Sequence, residues 1–146
     1  PYYGTYYTYQ WQVDNGSGFI DIINNSVYSG ATTFSLILTN PPGNYSGYKY
    51  RCTVLYTYFT GIYAVGETFV LKFGNIWKGT SNNLWNNPAN WSCGTIPDQY
   101  TDVQIPGGTN FSPNVNVNTS CKSVKVEANA ILNVNTGITL TITGSQ

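Results

Sequence analysis

Six carboxylates could serve acid–base chemistry in this chain of 146 residues: Asp14, Asp21, Glu67, Asp98, Asp102 and Glu127. Glycoside hydrolysis needs two of them at a fixed separation across a cleft. Only Asp98 and Asp102 lie close in sequence, in the loop Pro97-Asp98-Gln99-Tyr100-Thr101-Asp102. Together with backbone carbonyls they are candidates for a weak calcium site. The competing and leading reading is that they cap the loop by accepting backbone N–H bonds, which leaves no metal and no cofactor. The chain contains no His, so Ser-His-Asp and Cys-His catalysis and His-ligated zinc are excluded. Its three cysteines, Cys52, Cys93 and Cys121, form no CxxC pair. A disulfide between Cys93 and Cys121 is the preferred reading. It would close a loop of about 28 residues and stabilise by roughly 3–4 kcal/mol. Cys52 is then the odd thiol, read as a small buried hydrophobe. That cysteine usage fits an oxidising, extracytoplasmic setting.

The aromatic residues offer a different chemistry. Trp77, Trp85 and Trp91 could stack on sugars, or else pack as core and turn residues. Tyr2, Tyr3, Tyr6 and Tyr7, with Tyr9 behind them, could supply rigid contact area at an interface. Their plainer role is a strand with one buried and one exposed face. N-x-S/T sequons begin at Asn15, Asn24, Asn44, Asn90, Asn110 and Asn118, and are read as surface-loop markers only.

The elements that must position these groups are strands. Charged residues make up 8% of the chain, against roughly 25% in ordinary soluble domains. Six basic and six acidic residues give a formal net charge of zero. That excludes an electrostatic nucleic-acid binder, which needs a basic face to displace counterions. No apolar run approaches the roughly 20 residues of a membrane helix, so no membrane insertion is expected. Met is absent, position 1 included, and no signal-peptide pattern opens the chain, which points to a segment of something longer. Asn, Thr, Gly and Tyr interrupt every helical window, while short alternating runs recur between turn residues. Strands are expected over 6–13, 18–22, 33–39, 48–58 and 67–73. Phe34, Leu36 and Leu38 should share one face, as should Tyr50, Cys52 and Val54, and Phe69, Leu71 and Phe73.

After Phe73 the texture turns Trp- and Asn-rich, which sets a domain boundary near Gly74: residues 1–73, then 74–146. The second part carries a short repeat. Val124, Leu132 and Leu140 are spaced by eight residues, and so are Val126, Val134 and Ile142. Two geometries satisfy that period. One is a meander of tight hairpins. The other is a parallel β-solenoid in which each repeat stacks its apolar pair on the last.

A resemblance can now be stated. The segments Tyr9-Gln10-Trp11-Gln12, Tyr28-Ser29-Gly30-Ala31-Thr32-Thr33, Ser35-Leu36-Ile37-Leu38 and Gly47-Tyr48-Lys49-Tyr50-Arg51-Cys52 resemble an immunoglobulin-like domain. The resemblance implies that Trp11 fills the sandwich centre, that Tyr50 occupies the tyrosine-corner position, and that Cys52 belongs to the same core. This version looks like modules repeated in very large secreted surface proteins of Bacteroidetes-type bacteria. Trp77-Lys78-Gly79, Trp85-Asn86-Asn87-Pro88-Ala89-Asn90-Trp91, Pro97 and Thr101-Asp102-Val103-Gln104-Ile105-Pro106 look like a companion module of those proteins. The family's sandwich has two strands before Tyr-Gln-Trp-Gln, for which little chain is present here. Flanking chain or a strand donated by a neighbour would have to fill that gap.

The expectation is therefore an all-β chain, an Ig-like β-sandwich lacking its first strands followed by a smaller β domain. The leading function is a non-enzymatic structural module of an extracellular adhesin or filament, assembling through β-strand edges. Its partners would be copies of itself or flanking modules of the same polypeptide, with surface glycans as a further class. The alternative is a carbohydrate-binding module of a secreted polysaccharide-degrading enzyme.

Overall fold

The computed structural model describes residues 7–56 and 62–144. The fold is all-β: among the described residues fourteen short strands are joined by turns, with 3-10 turns at Gly43–Tyr45 and Pro88–Asn90. The chain divides into two compact units, Pro1–Leu71 and Lys72–Gln146.

In the first unit the strands are β1 (Tyr7–Asp14), β2 (Phe19–Asp21), β3 (Tyr28–Ser29), β4 (Ile37–Leu38), β5 (Lys49–Tyr56), β6 (Ile62–Val65) and β7 (Phe69–Val70). An antiparallel sheet runs β2-β1-β5-β6, with β7 also pairing β5. The register sets Trp11 opposite Cys52 and Val13 opposite Tyr50. Because side chains alternate along a strand, these residues share one face, and Gln12 with Arg51 falls on the other. The β3–β4 hairpin packs on the apolar face through a core of Ile22, Tyr28, Ala31 and Tyr50.

Tyr50 is buried as expected, but its hydroxyl meets the Tyr28 hydroxyl at 3.1 Å. A tyrosine corner would direct it to the backbone instead. Trp11 does not take the centre. It is half-buried at the margin of that core and donates from Nε1 to the Thr33 carbonyl. Cys52 beside it is also half-buried.

The expected strand 33–39 shortens to Ile37–Leu38 for a local reason. Thr33 Oγ1 donates to the Gly30 and Ser35 carbonyls, and the Thr33 amide also bonds Gly30. That turn holds 30–35 out of the ladder, so alternation starts only after it. Leu36 and Leu38 turn toward the core while Phe34 stays 78% exposed. Phe69 likewise lies outside the core, and Leu71 packs on it.

The second unit holds β8 (Phe73–Ile76), β9 (Thr101–Ile105), β10 (Asn114–Val115), β11 (Thr119–Cys121), β12 (Ser123–Val126), β13 (Asn133–Val134) and β14 (Leu140–Ile142). Every pair among these strands is parallel: β8 with β9, β9 with β12, β10 with β13, and β11 with β14. Taken in chain order, β9-β10-β11 form the three sides of one coil and β12-β13-β14 the three sides of the next. This is a parallel β-solenoid, and the hairpin meander is excluded.

The eight-residue period has a different meaning from the one expected. Paired residues of successive rungs, such as Val103 with Val124 or Thr119 with Leu140, are 21 apart, and Asn114 with Asn133 are 19 apart. The period of eight therefore counts sides within one rung, not rungs. Val124, Leu132 and Leu140 are the inward residues of three successive sides, and all three pack against the core.

Candidate functional site

The two ends of the second unit are built differently, and this contrast is the most informative feature of the molecule. The rungs at β8 and β9 are 28 residues apart, longer than the 21 between β9 and β12. The extra chain is the Asn/Trp-rich segment, and it folds over the outer edge of β8 as a cap. The Ser92 amide donates to the Ile76 carbonyl, the Lys78 amide donates to the Asn90 carbonyl, and Trp77 bridges Trp91 in antiparallel sense.

Trp77, Trp85 and Trp91 are each fully buried under this cap. Trp91 meets Trp77 and Trp85 edge-on, at centroid distances of 5.0 and 4.7 Å. The Trp77 indole donates to the Phe111 carbonyl, and the Trp91 indole to the Trp85 carbonyl. No ring face is left for a sugar, so these residues do not form the stacking platform considered from sequence. Asn90 organises the loop from inside. Its amide group accepts from the Ser81 and Asn82 N–H groups and donates to Asn82 Oδ1 and the Leu84 carbonyl. A fully buried Asn is stable only when satisfied in this way. Gly79 completes the cap. At φ +54° it occupies the left-handed region, and a Cβ there would meet the Phe111 carbonyl oxygen at 2.4 Å.

The opposite end has no such cover among the described residues. Val126 stacks on Ile105, Val134 on Val115, and Ile142 on Cys121. All three residues beneath are 0% exposed, whereas Val126, Val134 and Ile142 are 45%, 46% and 57% exposed.

The backbone repeats this asymmetry. At β10, the Asn114 N–H and C=O bond residues 83 and 85 of the cap, while the Pro113 and Val115 carbonyls accept from Asn133 and Asn135 of the next rung. Alternate residues of a parallel strand bond to opposite sides. The Val134 N–H and C=O therefore point away from β10, toward the open end. The Leu140 and Ile142 amides do the same, because the alternate residues bond β11 instead: the Thr143 N–H donates to the Cys121 carbonyl and the Thr139 carbonyl accepts from Thr119.

The residues singled out from sequence fall elsewhere. Cys93 and Cys121 are not joined, which overturns the expected disulfide: all three cysteines are free thiols. Cys93 is exposed at the β8 edge, with its thiol toward the Gly74 carbonyl. Cys121 points into the solenoid core under Ile142, and burial pushes its thiol up to about 11. Cys52 is raised by burial as well. Thiols directed into different surroundings cannot reach the geometry of a bridge.

Asp98 and Asp102 do separate work. Asp98 Oδ1 accepts from the Tyr100 N–H and from Thr101 Oγ1, which makes it a loop cap. Asp102 Oδ1 accepts from Ser123 Oγ across the β9–β12 pair. Among the described residues no three His, Cys, Asp or Glu side chains gather as metal ligands. Tyr2, Tyr3 and Tyr6 lie outside the described residues. Tyr7 is partly exposed on β1, its ring 5.2 Å from that of Tyr56. Among the described residues no helix is long and apolar enough to cross a membrane.

Sequence reasoning missed the open rim as a site, although its residues were in view. The signal was the second row of the repeat, Val126, Val134 and Ile142, read only as a period.

Comparison with known families places residues 76–145 in a match to a model described as a domain of unknown function, DUF8693. The match begins in β8 and runs through the cap to the end of the second rung, so it covers the solenoid unit and not the first sheet. Comparison with curated proteins and with solved structures gives no match.

Proposed function

We propose that this chain is a non-catalytic structural module of an extracellular surface protein, adhesin or filament, which assembles through β-strand edges. The observation that carries this reading is the large apolar surface left on strands and hairpins of the first unit. Ile20, Ile23, Phe34, Ile37, Phe69 and Val70 are all about half exposed or more, with Ile23 at 81%. Large apolar side chains left exposed on strands and hairpins mark an interaction site rather than a finished exterior. The order of the first sheet, with a two-stranded hairpin on its apolar face, supports the Ig-like reading in which further strands complete the second layer. A chain with only 8% charged residues lets such modules pack without strong repulsion or salt dependence. The partners are copies of this chain or flanking modules of the same polypeptide.

Sedimentation velocity over a concentration series tests the proposal. The chain should associate, and Phe34→Ser with Ile37→Ser should reduce that association while leaving the β content unchanged. A chain that stays monomeric at every concentration, yet binds an immobilised glycan saturably, would overturn it in favour of a carbohydrate-binding module.

A further inference from the structure

We propose that the open end of the solenoid is a docking surface for one kind of partner: a further three-sided parallel β rung of about 20 residues, stacked on β12, β13 and β14 in the register that joins the two rungs below. This inference rests on the reading of the chain as a β-edge assembly module and narrows it to one end of one unit.

Three observations identify the occupant. The first is the continuity of the ladder. The rows Val103–Val124, Ile105–Val126, Val115–Val134 and Cys121–Ile142 run straight to the rim. A third residue on each row would bury Val126, Val134 and Ile142 as the second rung buries those beneath.

The second is the path of the backbone. The Thr143 N–H donates to the Cys121 carbonyl and the Gly144 N–H to the Lys122 carbonyl. One rung lower, the same stretch of path leads directly into β12. Through Thr143 and Gly144 the backbone thus keeps its hydrogen bonds to the rung beneath beyond the end of β14.

The third is the cap. A fold that closes one end with three buried Trp and a satisfied Asn90 manages its exposed edges, and an uncapped end with outward-pointing amides along β13 and β14 is the joining end.

A second copy of this chain fits less well. Its capped end presents no free ladder. Its open end would approach about a two-fold axis and reverse the strand direction, which breaks the parallel register of the two rungs below.

The test is a chain in which Ser123–Thr143 is repeated once directly after Thr143, examined by residue-resolved hydrogen exchange beside the original chain. The expected result is that the repeat folds. The Val134, Leu140 and Ile142 amides of the original rung should then slow by at least about tenfold. A control repeat with Asn at the six positions copied from Val124, Val126, Leu132, Val134, Leu140 and Ile142 should leave them fast. If the repeat exchanges as unfolded chain and the original rim is unchanged, the inference is overturned. It is overturned also if the original chain forms dimers in which the same amides slow with concentration, because a second copy is then the occupant. Failure of the wider assembly reading would show in sedimentation alone and would leave this readout intact.

Discussion

Residues Cys93 and Cys121 carry the clearest correction to the sequence reading. Two cysteines in a chain of this composition invite a bridge, but pairing depends on where each strand points its thiol. Cys121 alternates inward on β11, while Cys93 sits on the outer edge beside β8. A thiol reagent added to the folded protein should therefore modify Cys93 rapidly and Cys121 only after unfolding. Three reactive thiols should appear in denaturant without reductant, and a single one there would restore the disulfide. The buried thiol also predicts a pH effect. Its folded pKa of about 11 lies above the ordinary thiol value of 9.0. The unfolded chain then loses its proton first as pH rises. The stability owed to the neutral thiol is complete below pH 9 and falls between 9 and 11. Tyr28 and Tyr50, both raised mainly by burial, act in the same direction in the first unit. Thermal melts of Cys121→Val beside the original chain isolate the thiol: the variant should show a shallower alkaline decline. Equal slopes would mean that Cys121 is not held neutral in the core.

At the scale of the element, stacking decides what each apolar residue is worth. Val103 and Val126 sit in the same three-rung sheet, but Val103 is covered by neighbours on both sides and Val126 on one. Val103→Ala should cost about 2 kcal/mol, whereas Val126→Ala should cost less than about 1 kcal/mol. Urea unfolding followed through the buried Trp cluster measures both. Equal costs would mean that the rim is covered in solution. The strands were legible in sequence wherever alternation was long: β1 and β5 emerge nearly whole from 6–13 and 48–58. β3 was not, because two residues carry no period and exist only through their partner, whereas the equally short β13 was legible through the repeat that contains Val134. Val124, Leu132 and Leu140 announced a repeat, but a period of eight fits both a hairpin and one side of a coil. Only the parallel pairing at separations of 19 to 21 residues distinguishes them.

For the whole molecule, neutrality and low charge leave open what its surface joins. The absence of His removed whole classes of chemistry before any fold was known. The Trp residues were visible from the start, yet their burial in a cap could not be read from spacing. It depends on Asn90 satisfying three backbone groups between Ser81 and Leu84 and on the left-handed turn at Gly79. What emerges is a chain of two β units, the second closed at one end and open at the other. Residue-resolved hydrogen exchange of the unmodified chain tests that asymmetry most directly. The account predicts slow exchange at Asn114, Asn133, Asn135 and Thr143, whose N–H groups bond within the ladder or to the cap, and fast exchange at Val134, Leu140 and Ile142. Uniform protection along β13 and β14 in the dilute monomer would contradict it, because the end described as open would then be closed.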